Sequence, residues 1–130
     1  MASQFDALSK KYMDRMKFVA KTSSIQLGNE IVSLTPVDSG IARASWSGAI
    51  GAPLSISSPS TSRNPSIEFE ISLKQLGIGD VVYFTNPQPY IVRLEYGWSA
   101  KAPRGMVRRS VARWEQIVDQ KTRDSFRVIK

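Results

Sequence analysis

Residues 81–106 read VVYFTNPQPYIVRLEYGWSAKAPRGM, and the change of character along this stretch decides the fold. Val81 to Thr85 is a β-branched and aromatic run, long enough for a buried strand. Asn86-Pro87 ends it, because proline has no N–H to give to a sheet ladder. From Asn86 to Met106 the chain carries three prolines, two glycines, paired charges and the rings of Tyr90, Tyr96 and Trp98. No apolar period of a core helix or strand runs through it. Aromatic and arginine-rich connectors of this kind suit a surface that docks on something.

Downstream, Val107, Val111, Trp114 and Val118, then Thr122 or Phe126, follow three- and four-residue spacing, which predicts one long helix from about Arg104 to Arg127. Upstream, Gly77, Gly79 and Asp80 predict a tight turn. They resemble part of a phosphate loop, but neither GxGxxG nor GK[ST] is present. Ile67, Phe69 and Ile71 alternate with Glu68, Glu70 and Ser72, which favours a strand, while Leu73 and Leu76 leave a helical turn open. Residues 51–66, GAPLSISSPSTSRNPS, read as a mobile Ser/Pro-rich loop. Over 41–50, Ala42, Ala44, Trp46 and Gly48 alternate with Arg43, Ser45 and Ser47 and predict a strand.

Thr35-Pro36-Val37-Asp38-Ser39-Gly40 is turn chemistry, and Pro36 stops whatever helix precedes it. That helix is long. Phe5, Leu8, Tyr12, Met16 and Val19, then Ile31 and Leu34, predict it over 3–34, with Ser23, Ser24 and Gly28 marking a bend or a close approach. The expected fold is α+β: a small, mainly antiparallel sheet packed with a long N-terminal and a long C-terminal helix. At 130 residues this is one domain, 1–130.

The chain has 18 Lys and Arg against 11 Asp and Glu, and no Cys or His. Disulfides, thiolate chemistry, zinc sites built on those ligands and the usual neutral-pH general base are therefore excluded. No catalytic set, metal site or cofactor is expected, and the chain does not read as an enzyme. No apolar run approaches the roughly 20 residues of a membrane span, and the polar N-terminus is unlike a secretory signal, so no membrane partner is expected. Nine basic residues less three acidic ones between Lys101 and Lys130 leave +6 of the +7 net charge in the last quarter of the chain.

Glu68 and Glu70 would share a face of a strand, but the wet face of a half-buried strand is their ordinary place. Lys101, Arg104, Arg108, Arg109 and Arg113 gather around the start of the last helix, where cations oppose the helix dipole. A carboxylate-bearing protein partner, nucleic acid and a solvated face are the three readings of that cluster. Trp46, Trp114 and Val111 are in phase with their elements and read as core. Trp98 follows Gly97 outside any period, and both an interface and a core role stay open.

Two blocks resemble the neck or tail-completion proteins that join head to tail in tailed bacteriophages. The first is LTPVDSGIARASW, 34–46. The second, 82–106, runs from a strand ending in Asn through Pro-Tyr and Leu-Glu-Tyr-Gly to Ser-x-x-Ala-Pro-x-Gly-Met-Val. The flanking helices extend the likeness over most of the chain, the 51–66 loop excepted. The resemblance implies a non-enzymatic virion protein, made in the host cytoplasm, that forms a ring, usually hexameric, in the neck. Its partners would be further copies of itself, the head-completion protein, and the tail-terminator or tail-tube protein, with DNA passing through unread. Carried over by position, Asn86, Tyr90, Glu95, Tyr96, Gly97, Trp98, Lys101, Pro103 and Arg104, together with Arg108, are candidates for the subunit interface. For Asn86, Tyr90 and Gly97 an internal role in turn geometry is equally open. The rival expectation is a basic nucleic-acid-binding module acting through the arginines near Arg108.

Overall fold

The computed structural model of the chain describes residues 2–37, 40–54, 63–97 and 104–130. Helix α1 spans Ala2–Leu34 and gives way before Pro36, as the proline requires. Its C-terminal end is held by Arg43, whose Nη2 donates to the carbonyls of Ser33 and Thr35, each at 3.0 Å. Those carbonyls have no partner within the helix, so the guanidinium closes the helix end.

Residues 41–50 split where a single strand was expected. Ile41–Ala44 form one helical turn, α2, and only Ser47–Ile50 form a strand, β1. The turn follows Gly40, at φ 79, and the Ala44 N–H donates to the Gly40 carbonyl at 3.0 Å. Ala42, Ala44, Ser45 and Trp46 are all buried, so the alternation of small and polar residues marked a tight fit, not the two faces of a strand.

The strand expected over 67–72 is also helix: α3 spans Pro65–Ser72. Asn64 caps it, its Oδ1 accepting from the Ile67 N–H, and Pro65 occupies the first turn, where a missing N–H costs nothing. Pro65, Phe69, Leu73 and Leu76 face inward, while Ile67 and Ile71 are exposed. The three- and four-residue period therefore prevails over the alternation. Glu68 is drawn into an ion pair with Arg63 at 2.9 Å.

β2, Val82–Thr85, pairs antiparallel with β1 in the register Ser47 to Thr85 and Ile50 to Val82. It is half-buried, not buried as its apolar run suggested, with Val81 and Tyr83 reaching solvent. Before it, the expected turn is present: Asp80 Oδ2 accepts from the Gly77 N–H at 2.7 Å. The core lies between α1, α3 and this ribbon. Phe69 and Phe84 meet edge to face, ring centres 5.2 Å apart, and the ring of Phe84 lies where a Cβ on Gly28 would stand only 2.6 Å from its edge. Gly28 thus marks a close approach of sheet to helix. Trp46 is in the core as expected, its Nε1 donating to the buried Thr35 Oγ1 at 2.9 Å.

After β2 come α4, Ile91–Glu95, α5, Val107–Val111, and α6, Trp114–Val128. The single long C-terminal helix is therefore interrupted at Ala112-Arg113. The break moves the phase inward onto Ile117, which is buried, and leaves Val111 and Trp114, expected in the core, substantially exposed. Arg113 at the break reaches Glu30 of α1 at 2.6 Å, while Arg15, near the middle of α1, donates to the Ile129 carbonyl at 3.1 Å. α6 consequently runs antiparallel to α1. Of the 51–66 loop, residues 55–62 lie outside the described residues, and 65–66 already belong to α3. The architecture is α+β: among the described residues, α1 and α6 pack on each other and a two-stranded antiparallel sheet packs on α3.

Candidate functional site

The described ends of the connector meet at one carboxylate. Glu95 closes α4, and its Oε1 accepts from the backbone N–H groups of Met106 and Val107, both at 2.8 Å. Its Oε2 accepts from the Arg108 N–H at 3.0 Å and from Arg108 Nε at 2.9 Å. Arg108 Nη2 also donates to the Glu95 carbonyl oxygen. The first N–H groups of a helix have no partner within it, and a carboxylate there is favoured both by hydrogen bonding and by the helix dipole. Glu95 thus caps α5 from eleven residues away. Partial burial pushes its carboxyl up, but the N–H groups of Arg108, Val107 and Met106 and the guanidinium of Arg108 outweigh this, so the group titrates below the usual glutamate range.

The clamp needs glycine at 105. Gly105 sits at φ +81, and a Cβ there would stand 2.6 Å from Glu95 Oε2 and closer still to the Glu95 carbonyl oxygen. Outside the clamp the Arg108 guanidinium lies 4.8 Å from the centre of the Tyr96 ring, in cation–π range. Tyr96 is 66% exposed. Beneath the pair a groove of about 380 Å³ is lined by Trp46, Val92, Tyr96, Met106 and Val107. The result is a stiff ledge with an aromatic ring and a cation on its rim.

The other expected interface residues divide. Asn86 turns inward: its Nδ2 donates to the Ala42 carbonyl at 2.8 Å and its Oδ1 accepts from the Gln88 N–H at 3.1 Å. Gln88 Nε2 in turn donates to Ser45 Oγ at 3.0 Å. The two sequence blocks that carry the resemblance therefore touch each other, through Asn86 and Gln88 on one side and Ala42 and Ser45 on the other. Tyr90 precedes α4 without a side-chain cap and is partly exposed, and Gly97 follows α4 at φ 86. Arg104 is exposed in a turn. Trp98, Lys101 and Pro103 lie outside the described residues.

Of the basic cluster, Arg108 is tied to Glu95 and Arg113 to Glu30. Arg109 remains exposed. Sequence reasoning missed Arg43, Arg63 and Glu30 as organising residues. Arg63 Nη1 holds the Ala44 carbonyl at 2.8 Å, and its Nη2 reaches the Trp46 carbonyl at 3.3 Å. Only the proximity of Arg43 to the proline turn was a readable signal, since Glu30 and Arg113 are 83 residues apart. Among the described residues no group of three carboxylates, histidines or cysteines is placed to hold a metal ion. No described helix is long and apolar enough to cross a membrane.

Comparison with known proteins finds no matching family model, no similar curated protein and no matching solved structure.

Proposed function

We propose that the chain is a non-enzymatic, ring-forming structural protein of a tailed-phage neck, docking on copies of itself and on the adjoining head and tail proteins. The observation that carries this reading is the Tyr96–Arg108 pair, held on an exposed rim by the Glu95 clamp. Exposed aromatic and arginine side chains on a rigid base lose little conformational freedom on docking, which is why such pairs anchor protein interfaces. The contact between the two resembling blocks supports the same reading, because it makes them one structural unit. DNA would pass through the ring without being read. The nucleic-acid module is less well supported, because carboxylates of the chain already engage two of the four clustered arginines.

Native mass spectrometry and negative-stain imaging, with and without neighbouring neck proteins, test this. Rings or docked complexes are expected without DNA, and Tyr96→Ala should weaken assembly about tenfold or more while leaving the monomer's melting temperature nearly unchanged. A monomer that docks on nothing and binds duplex DNA with steep salt dependence would overturn the proposal. So would a collapse in melting temperature before any loss of assembly, since Tyr96 would then be structural.

A further inference from the structure

Among the described residues, nothing covers the N-terminal arm of α1. α6 meets α1 at Arg15, whose guanidinium lies 4.5 Å over the Phe126 ring, and Tyr12 one turn before it lines the same groove. Residues 3–10 are all exposed, and Phe5, Leu8 and Tyr12 are 70%, 67% and 64% exposed. The arm continues a helix already nucleated in the packed part of α1, so its backbone stays helical while its apolar face is left bare. Directly behind it, α1 and α6 enclose an open apolar groove of about 550 Å³, lined by Met16, Val19, Ala20, Trp114, Val118 and Phe126 among others.

The apolar stripe of α1 is Phe5, Leu8, Tyr12, Met16 and Val19, with spacings 3, 4, 4, 3. That order is the same read from either end, with Tyr12 at its centre. Two α1 helices laid antiparallel about a two-fold axis at Tyr12 bring Phe5 level with Val19 of the partner subunit and Leu8 level with Met16 of the partner subunit. In this register no two like charges of residues 5–19 stand level. Each arm then lies in the other's groove.

Area favours reciprocal exchange over a one-way contact. Taking the large side chains at roughly 200 Å² each, the exposed parts of Phe5, Leu8, Tyr12, Met13, Met16, Trp114 and Phe126 come to about 800 Å², one partner's share of a standard interface. A one-way contact uses only the arm of one copy and the groove of the other, about half of that on each side. We infer that the groove between α1 and α6 is the seat of the N-terminal arm of a second copy, in a two-fold dimer centred on Tyr12. This does not depend on the neck reading.

The absence of cysteine makes the register directly testable in the full-length chain. Tyr12→Cys should cross-link to itself on mild oxidation, whereas Lys10→Cys, on the opposite face, should not. Leu8→Asp, at an exposed position, should leave far-ultraviolet circular dichroism intact and weaken dimerisation at least about tenfold in native mass spectrometry. A wild-type chain that stays single, including one that binds lipid vesicles or another protein through the groove, would overturn the inference. Equal cross-linking of both cysteine variants, or unchanged dimerisation of Leu8→Asp, would also do so. Rings lost with Tyr96→Ala but kept with Leu8→Asp would refute the dimer alone, and Tyr12→Cys cross-linking without any ring would refute the neck reading alone.

Discussion

The Glu95 clamp and the α1 arm both project from the same core, and they achieve their shapes by opposite means. At the clamp, one carboxylate takes four hydrogen bonds from three consecutive residues. Its polar groups are satisfied internally, so the ledge keeps its form whether or not anything docks on it. The arm satisfies only its own backbone. Its apolar face has no tertiary partner among the described residues, so what covers that face is left to association. Polar saturation makes a preformed surface, whereas an unpaired apolar stripe makes a surface that is completed by association.

The largest effect expected from this contrast is at Gly105. Gly105→Ala forces a Cβ into the Glu95 carbonyl at a positive φ and should cost about 3 kcal/mol in guanidinium unfolding; a cost below about 0.5 kcal/mol would mean that the clamp is loose. Next is Glu95→Gln, which should cost about 1–2 kcal/mol near neutral pH by removing a charge-assisted cap. Because the native carboxyl titrates below its unfolded value, its contribution is fully present above the unfolded value and is lost as pH falls through the lower native one. Wild type and Glu95→Gln should therefore converge in acid; parallel stability curves down to full protonation would remove the clamp's electrostatic part. The smallest effect is in the arm. Lys10→Ala deletes an exposed i,i+4 pair with Asp14 and should change monomer stability by less than about 0.5 kcal/mol in thermal melts. A larger loss would show that the arm is part of the folded body.

The errors of the sequence reading have identifiable causes. At 67–72, Ile67, Phe69 and Ile71 satisfied a strand template, and the competing helix signal of Asn64 followed by Pro65 lay inside what read as a loop. At 111–114 a continuous helical period concealed the interruption, because Arg113 leaves the period to reach Glu30. Glu95 was legible as part of the connector, but its role as a cap was not. Ordinary capping residues stand within three positions of the N–H groups they satisfy, whereas Glu95 is eleven to thirteen away from them.

The sequence by itself determined the long first helix and its stop at Pro36, the Gly77–Asp80 turn, the strand before Asn86 and the α+β class. Each of these rests on periodicity or on backbone restrictions that act over a few residues. Only the tertiary structure decided which α1 residues are core and which are bare, that Asn86 joins α2, and that Glu95 closes α5. Those outcomes depend on where segments tens of residues apart come to rest. The five-residue stripe on α1 marks a helical face in the sequence, and only the fold shows that among the described residues most of that face is left uncovered.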